Sequence, residues 1–373
     1  MDVFRPVWAE IDLDAIRANV RVLRELVAPA AVCAVVKADG YGHGAVPVAR
    51  AAIEAGAAFL AVALVEEGVE LREAGIDAPV LVLSEPVPEA AETVVTNRLT
   101  PVVYTAGGID ALAKAVVLRG VGEPLAVHLK VDTGMHRVGC DPLDAVDLAT
   151  HVKEHGELLL AGVCTHFAVA DEPDNGYTLA QQQVFEGVLA AISARGIATG
   201  LVHACNTAGA ITMPSARYDM IRAGIGIYGI PPAPALAGAI ELVPAMAVKA
   251  RVSHVRTYPP RTPMSYGLRY ETSETAHVAT VPIGYADGVP RELSHSGGDV
   301  LAGGRRHAIA GTVTMDQLMV DMGTDRVAVG DEVVLLGQQG DERITADEWA
   351  WRVGTIAYTI VCGVGPRVPR RYM

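Results

Sequence analysis

Eight short apolar runs separated by stretches of helical pattern fill the first two thirds of the chain and leave few folds open to it. The runs fall at residues 31–36, 59–64, 80–83, 100–104, 125–131, 158–165, 200–205 and 219–222. Between them lie alanine-rich segments of helical pattern, among them 45–55, 65–74, 109–118, 143–155 and 179–194. Most of the runs are apolar throughout, as expected of parallel strands covered on both faces. Their alternation with helices predicts a (β/α)8 TIM-type barrel, with a doubly wound open sheet as the alternative. Ahead of the rhythm, residues 8–12 read as a strand. Asp12 or Asp14 can then cap a helix that carries Ile16, Val20, Leu23 and Val27 on one face.

The texture changes after Gly229. Prolines at 231, 232 and 234 end the helical rhythm, and from about residue 245 the pattern becomes alternating and turn-punctuated. Strands are expected at 246–257, 275–283, 308–320, 332–336 and 356–361. The predicted division is a barrel over residues 1–235 and a C-terminal all-β domain over residues 236–373, with residues 1–12 able to join the second.

With 373 residues, 51% of them hydrophobic, the chain can bury a large core. Its net charge of -13 argues against nucleic acid or an anionic membrane as partner, since both require a basic face. Five scattered cysteines without C-x-x-C spacing suggest neither a disulfide framework nor a zinc site. No signal-like or membrane-spanning run occurs, so the cytoplasm is the expected location. The eleven histidines show no H-E-x-x-H, and no metal centre is expected.

In a barrel, chemistry sits past the C-terminal ends of the strands. Lys37 follows the first run, Lys130 ends the fifth, Thr165 and His166 end the sixth, Asn206 and Thr207 follow the seventh, and Arg222 ends the eighth. A shared mouth for these residues is therefore expected. Lys37 enters the glycine-rich sequence Lys37-Ala-Asp-Gly-Tyr41-Gly-His43-Gly44. A lysine there is either a snorkelling surface residue or an amine made nucleophilic by burial. The literal G-x-G-x-x-G at Gly224–Gly229 is not a dinucleotide fingerprint, because the prolines prevent the following helix. Its glycines could instead let N–H groups approach one phosphate. A lysine, a monophosphate-sized glycine loop and several arginines together suggest pyridoxal phosphate.

Seven motifs carry a resemblance to a known family. They are 34–44 around Lys37, Lys130-Val-Asp-Thr-Gly-Met135 with Arg137, Ile221-Arg222-Ala-Gly224-Ile-Gly226, Ser265-Tyr266-Gly267, Gly284-Tyr285-Ala-Asp-Gly288, Met315-Asp316-Gln317 and Arg367-Val-Pro-Arg370. In this order and over nearly its whole length the chain resembles the bacterial alanine racemases. The resemblance implies an isomerase that interconverts L- and D-alanine through a pyridoxal phosphate aldimine. Lys37 and Tyr266 would act as bases on opposite faces of the substrate, and the D-alanine would feed peptidoglycan. It further implies that Arg222 faces the pyridine nitrogen and that His166 lies beside the ring. Tyr41, Asn206, Thr207, Gly224, Ile225 and Tyr358 would complete the cofactor site. Arg137 would bind the substrate carboxylate, and Lys130 would be carbamylated to orient it. Tyr285, Met315 and Asp316 would close the entrance, and a head-to-tail homodimer would share its sites. Thr207 stands where the family usually has serine, which keeps the hydroxyl. A racemase of serine or another amino acid, and a decarboxylase of the same architecture, are the alternatives.

Overall fold

The computed structural model describes residues 4–373, which fall into two compact units. One comprises Ile16–Gly40 and Ala45–Val243; the other comprises residues up to Ala15, Tyr41–Gly44 and Pro244–Met373.

In the first of these, each strand pairs in parallel with the next through Ala31–Val35, Phe59–Val62, Val80–Val82, Thr100–Val103, Leu125–Lys130, Leu158–Cys164 and Leu201–His203. The eighth strand, Met220–Ala223, pairs with the first. Backbone bonds from Asp219 N–H to the Val202 carbonyl (3.0 Å) and from Arg222 N–H to the Cys205 carbonyl (2.9 Å) tie it to the seventh. The ring is a nearly closed (β/α)8 barrel, as the unalternated runs predict. Val80, Leu81 and Val82 are all buried because barrel side chains fill the interior on one face and the outer helices cover the other. Helix Ala145–Glu154 buries Ala145, Ala149 and Val152, one stripe at helical spacing.

In the second unit, Val7–Ile11 lies between antiparallel Met246–Arg251 and parallel Arg370–Tyr372. The sheet continues through Glu332–Gln339, Asp299–Ala302 and Arg305–Ala308. His254–Tyr258, Ala276–Val281 and Leu318–Asp321 form a separate antiparallel sheet. Asp12, rather than Asp14, accepts the Ala15 N–H at 2.8 Å and starts the helix Leu13–Val27.

Three predicted strands differ in this unit. Residues 246–257 are two strands, because the chain bends at Val252–Ser253 and passes from one sheet to the other. Alternation persists through the bend and hides it. Residues 308–320 are not continuous: a loop separates Arg305–Ala308 from Leu318–Asp321, with only an Ile309–Val320 bridge between. Residues 356–361 are helical, within Ala357–Gly363. Their β-branched composition suggests a strand, yet the buried Ala357, Ile360 and Val361 share one helical face, and packing overrides propensity. The helix Ala346–Val353 precedes it, so this β-dominated unit also contains two short helices. Among the described residues no helix is long and apolar enough to cross a membrane.

Tyr228 is the largest fully buried side chain, and its hydroxyl donates to the Val35 carbonyl at the end of the first barrel strand, 2.9 Å away. Tyr228→Phe is expected to destabilise the chain by about 1–2 kcal/mol by leaving that carbonyl short of a partner. Calorimetry should show a lower unfolding midpoint with unchanged far-ultraviolet circular dichroism.

Candidate active site

Past the first barrel strand the backbone turns left-handed. Ala38 (φ 52°, ψ 51°), Asp39 (51°, 49°) and Gly40 (60°, 44°) form the turn, and Tyr41 follows at φ 52°. The turn is thus not the work of glycines alone. Each L-residue in this region costs roughly 1–2 kcal/mol, so the surroundings must impose it. Glu67, on helix Val65–Glu73, does so: its carboxylate accepts N–H bonds from Ala38 (2.7 Å), Ala63 (2.8 Å) and Leu64 (3.1 Å). Asp39 accepts the Ala45 N–H at 2.9 Å, and Gly40 donates to the Val36 carbonyl at 2.9 Å. The sequence reading missed Glu67, whose only local signal is its place in the first turn of a helix.

The later strands deliver a cluster of cations. Arg222 is only 5% exposed. Its Nη1 donates to His203 Nδ1 (2.6 Å) and the His203 carbonyl (3.1 Å). Nη2 donates to the carbonyls of Thr165 (2.7 Å) and Ala204 (2.8 Å) and to His166 Nδ1 (3.0 Å). Among the described residues no carboxylate pairs with it, and Nε has no protein partner. Because Arg222 donates to His203 Nδ1, that nitrogen is unprotonated, so Nε2 carries the proton and donates to His128 Nδ1 at 2.8 Å. Burial, with Arg222 adding to it, holds His203 and His166 well below the usual histidine range and brings His128 to about 4. The imidazoles are neutral acceptors around a permanent cation.

Lys130 donates to the Leu83 carbonyl at 3.1 Å. Burial pushes its amine down to about 8, with the charges of Arg222, Arg137 and Lys37 acting in the same direction. The structure therefore brings together Lys37, Lys130, Arg137, His166 and Arg222. The Thr207 hydroxyl accepts from the Gly224 (3.1 Å) and Gly226 (3.4 Å) amides, joining the glycine loop to the start of helix Thr207–Thr212. Ile225 is buried in a single 3-10 turn, Ile225–Tyr228. The Asn206 side chain caps that helix by accepting the Gly209 N–H at 2.8 Å. His203 and His128 are further residues that sequence reading missed, since nothing local separates them from core histidines.

In the other unit Tyr41 is buried against Tyr358, with ring centroids 6.1 Å apart, and burial raises its hydroxyl pKa. A Cβ on Gly42 would lie 2.4 Å from the Val361 carbonyl oxygen, so a side chain is excluded there. Tyr266 (73% exposed), Tyr285 and Met315 all present side chains to solvent. The segment 311–316 joins them: Thr312 Oγ1 donates to the Tyr266 carbonyl at 2.8 Å, and the Tyr285 amide donates to the Thr314 carbonyl at 3.0 Å. Asp316 pairs with Arg367 at 2.6 Å, which also approaches the buried Asp287 at 3.2 Å. Arg5 clamps Asp287 with two bonds of 2.8 Å, which fixes the turn carrying Tyr285.

Fold and site define a class: a parallel barrel with an amine past its first strand and an unpaired buried guanidinium on its last, in a chain with an added β-dominated unit. The model of the alanine racemase N-terminal domain matches residues 11–232, and that of the C-terminal domain matches residues 245–372. The chain is 48% identical to an alanine racemase of Symbiobacterium thermophilum, over 100% of this chain and 98% of that one. The solved alanine racemase of Streptomyces coelicolor A3(2) superposes with a TM-score of 0.94 at 40% identity, covering 100% of this chain and 99% of the other. A histidine racemase of Leuconostoc mesenteroides subsp. sake superposes with a TM-score of 0.90 at 30% identity, covering 99% and 98%. The chain belongs to the alanine racemase family.

Glu67→Ala removes the acceptor of three N–H groups beside Lys37 and is expected to lower kcat by roughly tenfold or more, as a displaced reacting group would. Glu67→Gln, which keeps one acceptor oxygen, should recover part of the loss. A purely structural role would lower the unfolding midpoint and leave kcat per folded molecule unchanged.

Proposed function

We propose a two-base mechanism for the alanine racemisation that family membership assigns to this chain, with pyridoxal phosphate as cofactor. The observation that carries it is the convergence of Lys37, Lys130, Arg137 and Arg222 on one barrel mouth, where among the described residues no carboxylate pairs with Arg222. Such a site calls for an anionic ligand, and the donors fit this one. Arg222 keeps Nε for a ring nitrogen after its other donors are used. The Gly224 and Gly226 amides and the Thr207 hydroxyl form a phosphate-sized group of polar atoms. When bound, the cofactor supplies the electron sink that acidifies the hydrogen on the substrate's α-carbon.

The residues divide the remaining work. Lys37 would anchor the cofactor and, once released, move a proton at its Nζ on one face of the α-carbon. Tyr266 would move a proton at its hydroxyl on the opposite face. Opposed bases let either enantiomer be deprotonated and the other be completed. Arg222 cannot surrender its proton, so a ring nitrogen facing it stays unprotonated and the sink stays weak, which disfavours transamination. His166 would lie beside the ring, with Tyr41, Asn206, Ile225 and Tyr358 completing the cofactor site. Arg137 would bind the substrate carboxylate, and Tyr285, Met315 and Asp316 would bound the entrance. The reading draws Tyr266 from a second copy in a head-to-tail homodimer, places the protein in the cytoplasm, and gives D-alanine for peptidoglycan as the product's use. Its substrate rests on higher identity to the alanine enzymes than to the histidine racemase, since one or two pocket atoms shift preference by only about 1–3 kcal/mol.

Lys37→Ala and Tyr266→Phe are each expected to lower racemisation of L-alanine by roughly 10²–10⁴-fold, read by chiral chromatography. Mixing the two variants under subunit exchange should restore activity, which would not occur if each site used one chain. For Lys130, an amine brought to about 8 is substantially neutral near pH 8 and can add carbon dioxide, giving an anion beside Arg137. Equilibration with ¹³C-bicarbonate should give a carbamate resonance that Lys130→Ala abolishes; its absence in active enzyme would leave Lys130 a free amine.

A further inference from the structure

Outside the barrel mouth, two histidines and an aspartate converge on one point of the outer surface. His151 lies on helix Ala145–Glu154, His155 caps its C-terminus one turn later, and Asp110 comes from helix Ala106–Arg119. His151 Nε2 is 2.7 Å and His155 Nε2 3.0 Å from the same oxygen, Asp110 Oδ1. The imidazoles meet edge to face, with centroids 4.9 Å apart and planes at 78°. One ligand atom from each of the three side chains lies within 4.8 Å of the others.

We propose that Asp110, His151 and His155 form a binding site for a divalent transition-metal cation, with zinc the best match, that clasps two neighbouring outer helices of the barrel. Two imidazoles and one carboxylate are a donor set suited to zinc and its neighbours in the series, with water completing the coordination. Tetrahedral zinc holds its ligand atoms about 3.3 Å apart, against 2.7 and 3.0 Å between the Asp110 oxygen and the two imidazole nitrogens, so the carboxylate would withdraw on binding. Glu157 stands 4.0 Å from His155 Nδ1, on the side away from the cluster. A cation bound by the three side chains would replace the proton that each Nε2 now donates to Asp110, with that proton leaving or moving to Nδ1. As a hydrogen-bonded surface trio the cluster is worth little, since exposed ion pairs contribute about 0–1 kcal/mol. The sequence His151-Val-Lys-Glu-His155 is a literal H-x-x-E-H, the inverted order of a zinc-hydrolase motif. Here the third ligand is Asp110 from another helix and Glu154 is exposed, so the assignment is binding and not hydrolysis.

The test is equilibrium dialysis and calorimetry of tag-free, cofactor-saturated enzyme, stripped with EDTA and returned to zinc sulfate. One zinc per chain and a raised unfolding midpoint are expected. His151→Gln and Asp110→Asn should each weaken zinc binding roughly tenfold or more and remove the rise, with EDTA-state midpoints and racemase activity unchanged. Cys362→Ser, at an exposed alternative donor, should keep the response. No zinc binding by the wild type, or a zinc-dependent rise that survives both His151→Gln and Asp110→Asn, overturns the site.

Discussion

The Arg222 guanidinium, buried without a counter-ion, sets the terms for the barrel mouth. Removing a charge from water costs several kcal/mol, and among the described residues no carboxylate offsets it. Five hydrogen bonds to carbonyls and imidazole nitrogens do so instead, each worth about 1.5–3 kcal/mol when the donor is charged. The consequences spread outward from that choice. His203 and His166 present bare Nδ1 atoms to it, and its charge adds to the burial that keeps His128 neutral and lowers the proton affinity of Lys130.

A second constraint acts at Lys37. The strand ends in a left-handed turn that Ala38 and Asp39 adopt against their own preference, so the amine's position depends on what holds the turn. Glu67 gathers the amide of Ala38 with those of Ala63 and Leu64, linking the ends of the first two barrel strands through one carboxylate. Asp39 ties the turn to the start of the next helix. The geometry is imposed by hydrogen bonds from neighbouring βα units, consistent with strain being stored where a reactive group must be held.

The β-dominated unit uses a different economy. Its functional candidates Tyr266, Tyr285 and Met315 are exposed on short irregular segments, while their backbones are fixed by the 311–316 loop and by the buried Asp287 between Arg5 and Arg367.

The sequence by itself determined the barrel, because eight unalternated apolar runs separated by helices have few ways to bury both faces. It also determined which residues stand at the strand ends, since that follows from where each run stops. Lys37, Lys130, His166, Thr207 and Arg222 were therefore legible as a group. What only the tertiary structure decided were partnerships between distant positions. Asn206 caps the helix that follows it, Arg222 was paired with His203, Glu67 was recruited beneath Lys37, and residues 356–361 were turned from an apparent strand into a helix. Two histidines on one helix and an aspartate on another became neighbours in the same way. Local pattern reports burial and period, but hydrogen-bond partners are chosen by proximity that arises only when the chain closes on itself.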